Sequence, residues 1–496
     1  MLFSAVTRLG QRKEADIIIF PFWQKQKKSV PAALLETFSD LVKFPVDAKD
    51  FNGKEGETLL LYIQGMKEKR CLLLGLGEEK NLSVEVLRKA YSNVTQDCQK
   101  RGFSKINLVV PTIGKLQYID AKQCLQGIAE GILLTNYSWK ESDHFSDQKK
   151  KVLIKAVLLI GIRSEMLDTV RVCQEVAEGV CFARDLINDN ADTVTPYYLG
   201  EAAKKIATRF SNMTAHVYDR AWIEKQKMGL FAAVARGSVN EPKFIVLTYQ
   251  GYPRSKEHTV LVGKGVTYDT GGLNLKPTNS IEDMRSDMSG AATVLATVAT
   301  AASLKLEQNV TAVVAATENA IGSNSYKPGD VYESLSGITV EIGNTDAEGR
   351  LTLADALTYS LQKLKPTRLI DLATLTGSMV VALGDKMSGL FCNDEQLALQ
   401  LLDASSRTSE ILWRMPLFKP YKEQLKSDIA DINNIGGRSA GSITAALFLE
   451  EFVNHLPWAH IDIAGPAFGN KAWDYHPKNG IGFGVRLLID FLQHLS

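Results

Sequence analysis

Cysteine, histidine and charge imbalance are all scarce in this chain of 496 residues. Six cysteines (Cys71, Cys98, Cys124, Cys173, Cys181 and Cys392) lie far apart with no CxxC pair. That spacing excludes a disulfide framework and suits reduced, mostly buried thiols in a cytoplasmic protein. Lys and Arg number 57 against 56 Asp and Glu, a net charge of +1. Nucleic acid or an anionic membrane is therefore not called for by any global field, a local basic patch aside. No apolar run approaches the roughly 18 residues of a membrane span. The N-terminal MLFSAVTRLGQRK has no apolar core of a secretory signal; being short and basic, it leaves a transit peptide as the alternative.

What is present is ordinary globular composition, 45% hydrophobic and 23% charged. The length exceeds the roughly 250–300 residues that one core sustains, so two or three domains are expected from length alone. Short apolar runs at 15–22, 58–63, 70–77, 106–111 and 155–162 alternate with amphipathic stretches such as 84–100, the rhythm of a doubly wound α/β domain. The lysine-rich 138–152 reads as a solvated loop. A helix near 165–185 runs into NDNADTVTPYYLG, whose Asp, Asn and Pro mark a break. Further strands are expected at 243–251, 258–265, 310–319, 337–344, 368–377 and 458–465. Their near-continuous apolar character suits a parallel sheet covered on both faces. The expected fold is thus two α/β domains, a smaller N-terminal one and a larger catalytic one with a mainly parallel central sheet covered by helices. The boundaries are 1–165 for the first, 166–190 for a linker helix and turn, and 191–496 for the second.

Unusual residues gather where strands of the second domain end, the place where parallel sheets bind ligands. In 261–292 a strand is expected to end at Gly263-Lys264-Gly265, followed by Asp269, Gly271, Gly272 and Lys276, with Asp287 before a small-residue helix. In 341–354 come Asp346, Glu348 and Arg350, then a helix with Leu353, Leu357, Leu361 and Leu364 on one face. Four carboxylates brought together would repel one another without cations. Two divalent ions bridged by them would generate hydroxide and polarise a carbonyl. Neither segment holds His or Cys, which excludes a His/Cys zinc site, while oxygen ligands do not choose among zinc, manganese, magnesium and cobalt. Beside two cations Lys264 would lose its proton and offer a nitrogen ligand, whereas Lys276 would stay charged against a developing oxyanion. Arg350, placed just before a helix, suits a small anion. GKGxTxDTGG also suggests a phosphate loop, but it lacks the GxxxxGK[ST] on which that reading depends. These residues point to a metal-dependent hydrolase; a two-metal phosphatase or nuclease would use the same carboxylates.

NTDAEGRL (344–351), and VGKGVTYDTGGLNLKP (262–277) with SDMSGAA (286–292), resemble the signatures of the leucyl aminopeptidase, or cytosol aminopeptidase, family. The similarity runs on through DLATLTGSMVVALG, SDIADINNIG, ITAALFLEEFV and WAHIDIAGPA, covering roughly 180–490. The first domain is assigned by position alone. The resemblance implies an aminopeptidase acting on peptides, with leucine or other apolar N-terminal residues preferred. It implies that Lys264, Asp269, Asp287 and Glu348 bind a tighter metal and Asp269, Asp346 and Glu348 an exchangeable one, Mn2+ or Zn2+. It gives Lys276 the role of polarising the scissile carbonyl, and Arg350 that of holding a bicarbonate as general base for a metal-activated water. A substrate pocket at Met284, Thr374, Gly377, Ala464 and Ala467 is implied too, as is a cytoplasmic homohexamer. Some members are implicated in DNA binding, for which a net charge of +1 offers no support. Two departures stand out: no proline soon after Asn188, and Arg438 within the glycine-rich GGRSAGSITAA (436–446).

Overall fold

The computed structural model describes residues 1–24, 45, 47–111, 118–139 and 151–495. Most of the lysine-rich 138–152 lies outside the described residues. The chain divides into two units, Met1–Ala177 with Ala472–Pro477, and Glu178–Lys471 with Lys478–Ser496. The division falls inside the helix Leu167–Asn188. No helix among the described residues is long and apolar enough to cross a membrane.

Among the described residues the first unit holds six strands: β1 (Leu2–Val6), β2 (Ile17–Phe22), β3 (Thr58–Tyr62), β4 (Arg70–Gly75), β5 (Lys105–Val109) and β6 (Ala156–Ile160). Their order is β1-β6-β5-β2-β4-β3, parallel except for β3 against β4. Successive side chains point to opposite faces. Ile17 and Ile19 thus enter one core with Leu87, Tyr91 and Val94 of the helix Val84–Lys100, while Ile18 and Phe20 enter another with Leu9 and Phe51. Ser83 caps that helix by accepting from the Val86 amide. Ala472–Pro477 completes this unit: the Asp474 carbonyl accepts from Ser92 (2.9 Å) and Gln96 (2.7 Å), and Tyr475 donates to Glu85 (3.1 Å). Strand β1 was not among those expected from sequence; five residues carry too little pattern to separate an edge strand from coil.

The second unit contains β7 (Met213–Tyr218), β8 (Lys243–Gln250), β9 (Thr259–Asp269), β10 (Asn309–Asn319), β11 (Val331–Glu333), β12 (Thr339–Glu341), β13 (Arg368–Ala373), β14 (Ser388–Cys392), β15 (Leu412–Arg414), β16 (Ile432–Asn433) and β17 (Trp458–Asp462). Eight of these form one sheet in the order β15-β14-β17-β13-β9-β10-β8-β7. Its central four, β17, β13, β9 and β10, are parallel. The helices Ser289–Ser303 and Glu348–Tyr359 pack on β9, the latter sharing a core with Val260 and Val262.

Three local expectations change. Segment 337–344 is not a strand of the main sheet. Gly337 turns with φ +89°, and only Thr339–Glu341 pairs, within a small β11-β12-β16 sheet. Strand β9 does not end at Lys264 but continues to Asp269, because β10 runs alongside it as far as Asn319. The helix after Asp346 starts at Glu348, so Arg350 lies in its first turn rather than before it.

Candidate active site

The carboxyl ends of the four parallel strands meet at one place, and each leads residues into it. Strand β9 ends on Asp269 and β10 on its ladder neighbour Asn319, while β13 leads into Thr374 and β17 into Ala464. After β9 the chain turns through Gly271 and Gly272, both in the left-handed region (φ +88° and +64°) that a glycine enters without steric cost. That turn returns Lys276 to the strand end, its amide bonded to the Thr270 carbonyl. A cleft of about 480 Å³ opens here, and all twelve residues singled out from sequence line it: Lys264, Asp269, Lys276, Met284, Asp287, Asp346, Glu348, Arg350, Thr374, Gly377, Ala464 and Ala467.

Asp269, Asp346 and Glu348 offer one oxygen each within 4.8 Å of one another. Lys276 Nζ lies 2.8 Å from Asp269 Oδ2 and 2.6 Å from Asp346 Oδ1. Lys264 Nζ lies 2.8 Å from Asp287 Oδ1 and 2.9 Å from Glu348 Oε1, and donates to the Thr374 carbonyl at 3.1 Å. Gly349 leaves room for that lysine, since a Cβ there would sit 2.5 Å from its Cε. Thr374 lines the cleft, yet its hydroxyl donates to Asp287 Oδ1 at 2.7 Å.

Lys264, Asp269, Asp287, Glu348 and Arg350 are all at least 93% buried. Burial lifts Glu348 to about 8, with Asp269 adding repulsion and Lys264 opposing it, and burial lifts Asp287 to about 6. Burial pulls both lysines down, but the carboxylates around each outweigh it and hold the ammonium above its usual range. Asp287 Oδ2 and Glu348 Oε2 are buried with no hydrogen-bond partner. Buried carboxyl oxygens without donors, beside an acidic triad, suit divalent cations. Arg350 donates to the Asn434 carbonyl (2.8 Å), while its buried Nε has no partner, as an anion site requires. Burial pulls this guanidinium down to about 10.

The sequence model of the cytosol aminopeptidase family's catalytic domain matches residues 181–489, and that of its N-terminal domain matches 18–142. The chain belongs to the cytosol aminopeptidase family. Probable cytosol aminopeptidases of Protochlamydia amoebophila and Chlamydia felis are 45% and 48% identical to it over 498 residues, with 100% and 99% of this chain and 99% of each relative covered. Among solved structures, a tomato leucine aminopeptidase mutant matches with TM-score 0.88 and 31% identity, over 99% of this chain and 96% of that one. The bottromycin maturation enzyme BotP in complex with Mn matches with TM-score 0.85 and 30% identity, over 97% and 99%. The chain is accordingly a peptidase hydrolase of a metal-dependent family, with the α/β fold expected.

Sequence reasoning missed several residues that shape the site. Thr345 and Asn274 exchange bonds between the two carboxylate-bearing loops: each backbone amide donates to the other's side-chain oxygen, at 2.9 and 2.8 Å. Asp462, fully buried, accepts from Thr376 Oγ1 (2.7 Å) and from the amides of Leu375 and Ala464. Asp355, also fully buried, accepts from the amides of Phe231 (2.9 Å) and Leu335 (2.7 Å) and anchors the helix that carries Glu348 and Arg350. Asn and Asp take such turn and capping roles throughout proteins, so nothing local singles these out.

Proposed function

We propose that this aminopeptidase releases single N-terminal residues, apolar ones preferred, with two divalent ions held between Lys264, Asp269, Asp287, Asp346 and Glu348. The observation that carries this is the acidic triad sharing one cleft with Lys276, Arg350 and the apolar Met284, Ala464, Ala467 and Phe468. Lys264, Asp269, Asp287 and Glu348 would hold one ion, and Asp269, Asp346 and Glu348 the other. Such ions, when bound, supply Lewis acidity towards a carbonyl and acidify a water. Lys276, whose ammonium is held above its usual range, keeps its proton at neutral pH and donates to the scissile carbonyl oxygen as charge develops there. Arg350 would hold a bicarbonate, the group that supplies general-base chemistry. The apolar wall of the cleft receives the side chain of the residue released and excludes water from it.

Zinc and manganese both suit the donor set. A cytoplasmic homohexamer belongs to the same proposal, on the family resemblance alone, and light scattering of the purified chain tests the oligomer. The deciding experiment is turnover on a panel of aminoacyl-p-nitroanilides after metal removal and stepwise return of zinc or manganese. Activity should vanish and then return, greatest on apolar residues; full activity in the stripped protein would sink the proposal.

A further inference from the structure

Asn319 closes β10 beside Asp269, its neighbour in the parallel ladder, and is fully buried. Its amide nitrogen donates twice, to Asp269 Oδ1 at 2.8 Å and to the Thr345 carbonyl at 3.0 Å. Both partners are acceptors, so the amide has only one sensible orientation. Asp269 Oδ1 also accepts from the Gly271 amide at 2.8 Å, which leaves Oδ2 as the oxygen turned towards Lys276. The Asn319 carbonyl accepts from both the amide and the hydroxyl of Thr270, so the same residue fixes the start of the loop to Lys276. Asn319 Oδ1 is buried with no partner. A buried amide oxygen left unpaired costs stability, and an ordinary packing residue would avoid that cost. The side chain is placed for its two N–H groups.

We infer that Asn319 is the positioning residue of the metal centre. One N–H sets the rotation of the Asp269 carboxylate and the other holds the strand of chain leading into Asp346 and Glu348. This rests on the proposed ligand role of Asp269. Partners that orient a metal ligand from behind are typically worth about 10- to 100-fold in metal affinity. An amide is required here: a carboxylate of the same shape would turn acceptor oxygens on Asp269 and on the Thr345 carbonyl.

The test is calorimetric titration of Mn2+ or Zn2+ into the metal-stripped full chain for Asn319→Asp, Asn319→Ala and Asp269→Asn, with folding checked by circular dichroism. Both Asn319 variants should bind metal about 10- to 100-fold more weakly, with the KM for peptide unchanged once metal is saturating. Asn319→Ala carries the test if Asn319→Asp does not fold. Metal affinity equal to the unmodified chain's in the folded Asn319 variants, with affinity lost in Asp269→Asn, overturns the inference alone. Undiminished affinity in Asp269→Asn overturns the ligand assignment as well.

Discussion

Lys264 and Lys276 are chemically alike, and their surroundings separate them. Lys264 is buried between Asp287 and Glu348, while Lys276 stands at the cleft between Asp269 and Asp346 with 15% of its side chain exposed. Lys276→Ala should lower kcat by about 10²–10³, the usual loss for one oxyanion donor. Metal content by elemental analysis should stay unchanged. Glu348 makes a pH prediction. Its ordinary value of 4.5 is lifted to about 8 by burial and by Asp269. A carboxyl raised in the folded state favours folding least where both forms are ionised. The metal-free protein should therefore lose stability as pH rises from about 4.5 to about 8, Asp287 adding to the loss up to about 6. Melting temperatures of the stripped chain across that range should fall, and Glu348→Gln should flatten the fall. Carboxylates and lysines of this kind are legible in sequence because the chemistry resides in the side chain itself. Asn319 and Thr345 were not legible, since their roles exist only through partners 26 to 71 residues away.

At the scale of elements, the helix Glu348–Tyr359 shows how a site is held from a distance. It has no side-chain cap at Ala347, and its second and third turns are locked by Asp355 to Phe231 and Leu335. Asp355→Ala would leave buried amides without an acceptor and should cost about 1–3 kcal/mol in urea unfolding. An unchanged midpoint and slope would show that the tie contributes nothing. Long buried strands such as β8, β9, β10 and β13 were legible because continuous apolar runs have few other uses. Short ones were not. β12 pairs over three residues, and its true neighbours, β11 and β16, have no hydrophobic signature of their own. The extent of β9 was misjudged for a related reason: glycine and lysine look like the end of a strand, yet β10 carries the ladder on to Asp269.

At the scale of the molecule, the scarcity of cysteine has a measurable counterpart. All six are free thiols, and Cys71, Cys98, Cys124, Cys173 and Cys392 are buried. Burial pushes Cys98 and Cys124 up to about 12 and Cys392 up to about 11. Thiolate is the reactive form, so an aromatic disulfide reagent should label the native protein slowly and titrate six groups after denaturation. The first unit also has a history written into its connectivity. Gln96 and the Asp474 carbonyl that it holds lie 378 residues apart. A ribosome adding about 5–20 residues each second needs on the order of half a minute to make the residues between them. Throughout that interval Glu85, Ser92 and Gln96 of the nascent first unit lack their bonds to Asp474 and Tyr475. The unit begun first is thus completed only after Ala472–Pro477 has been made.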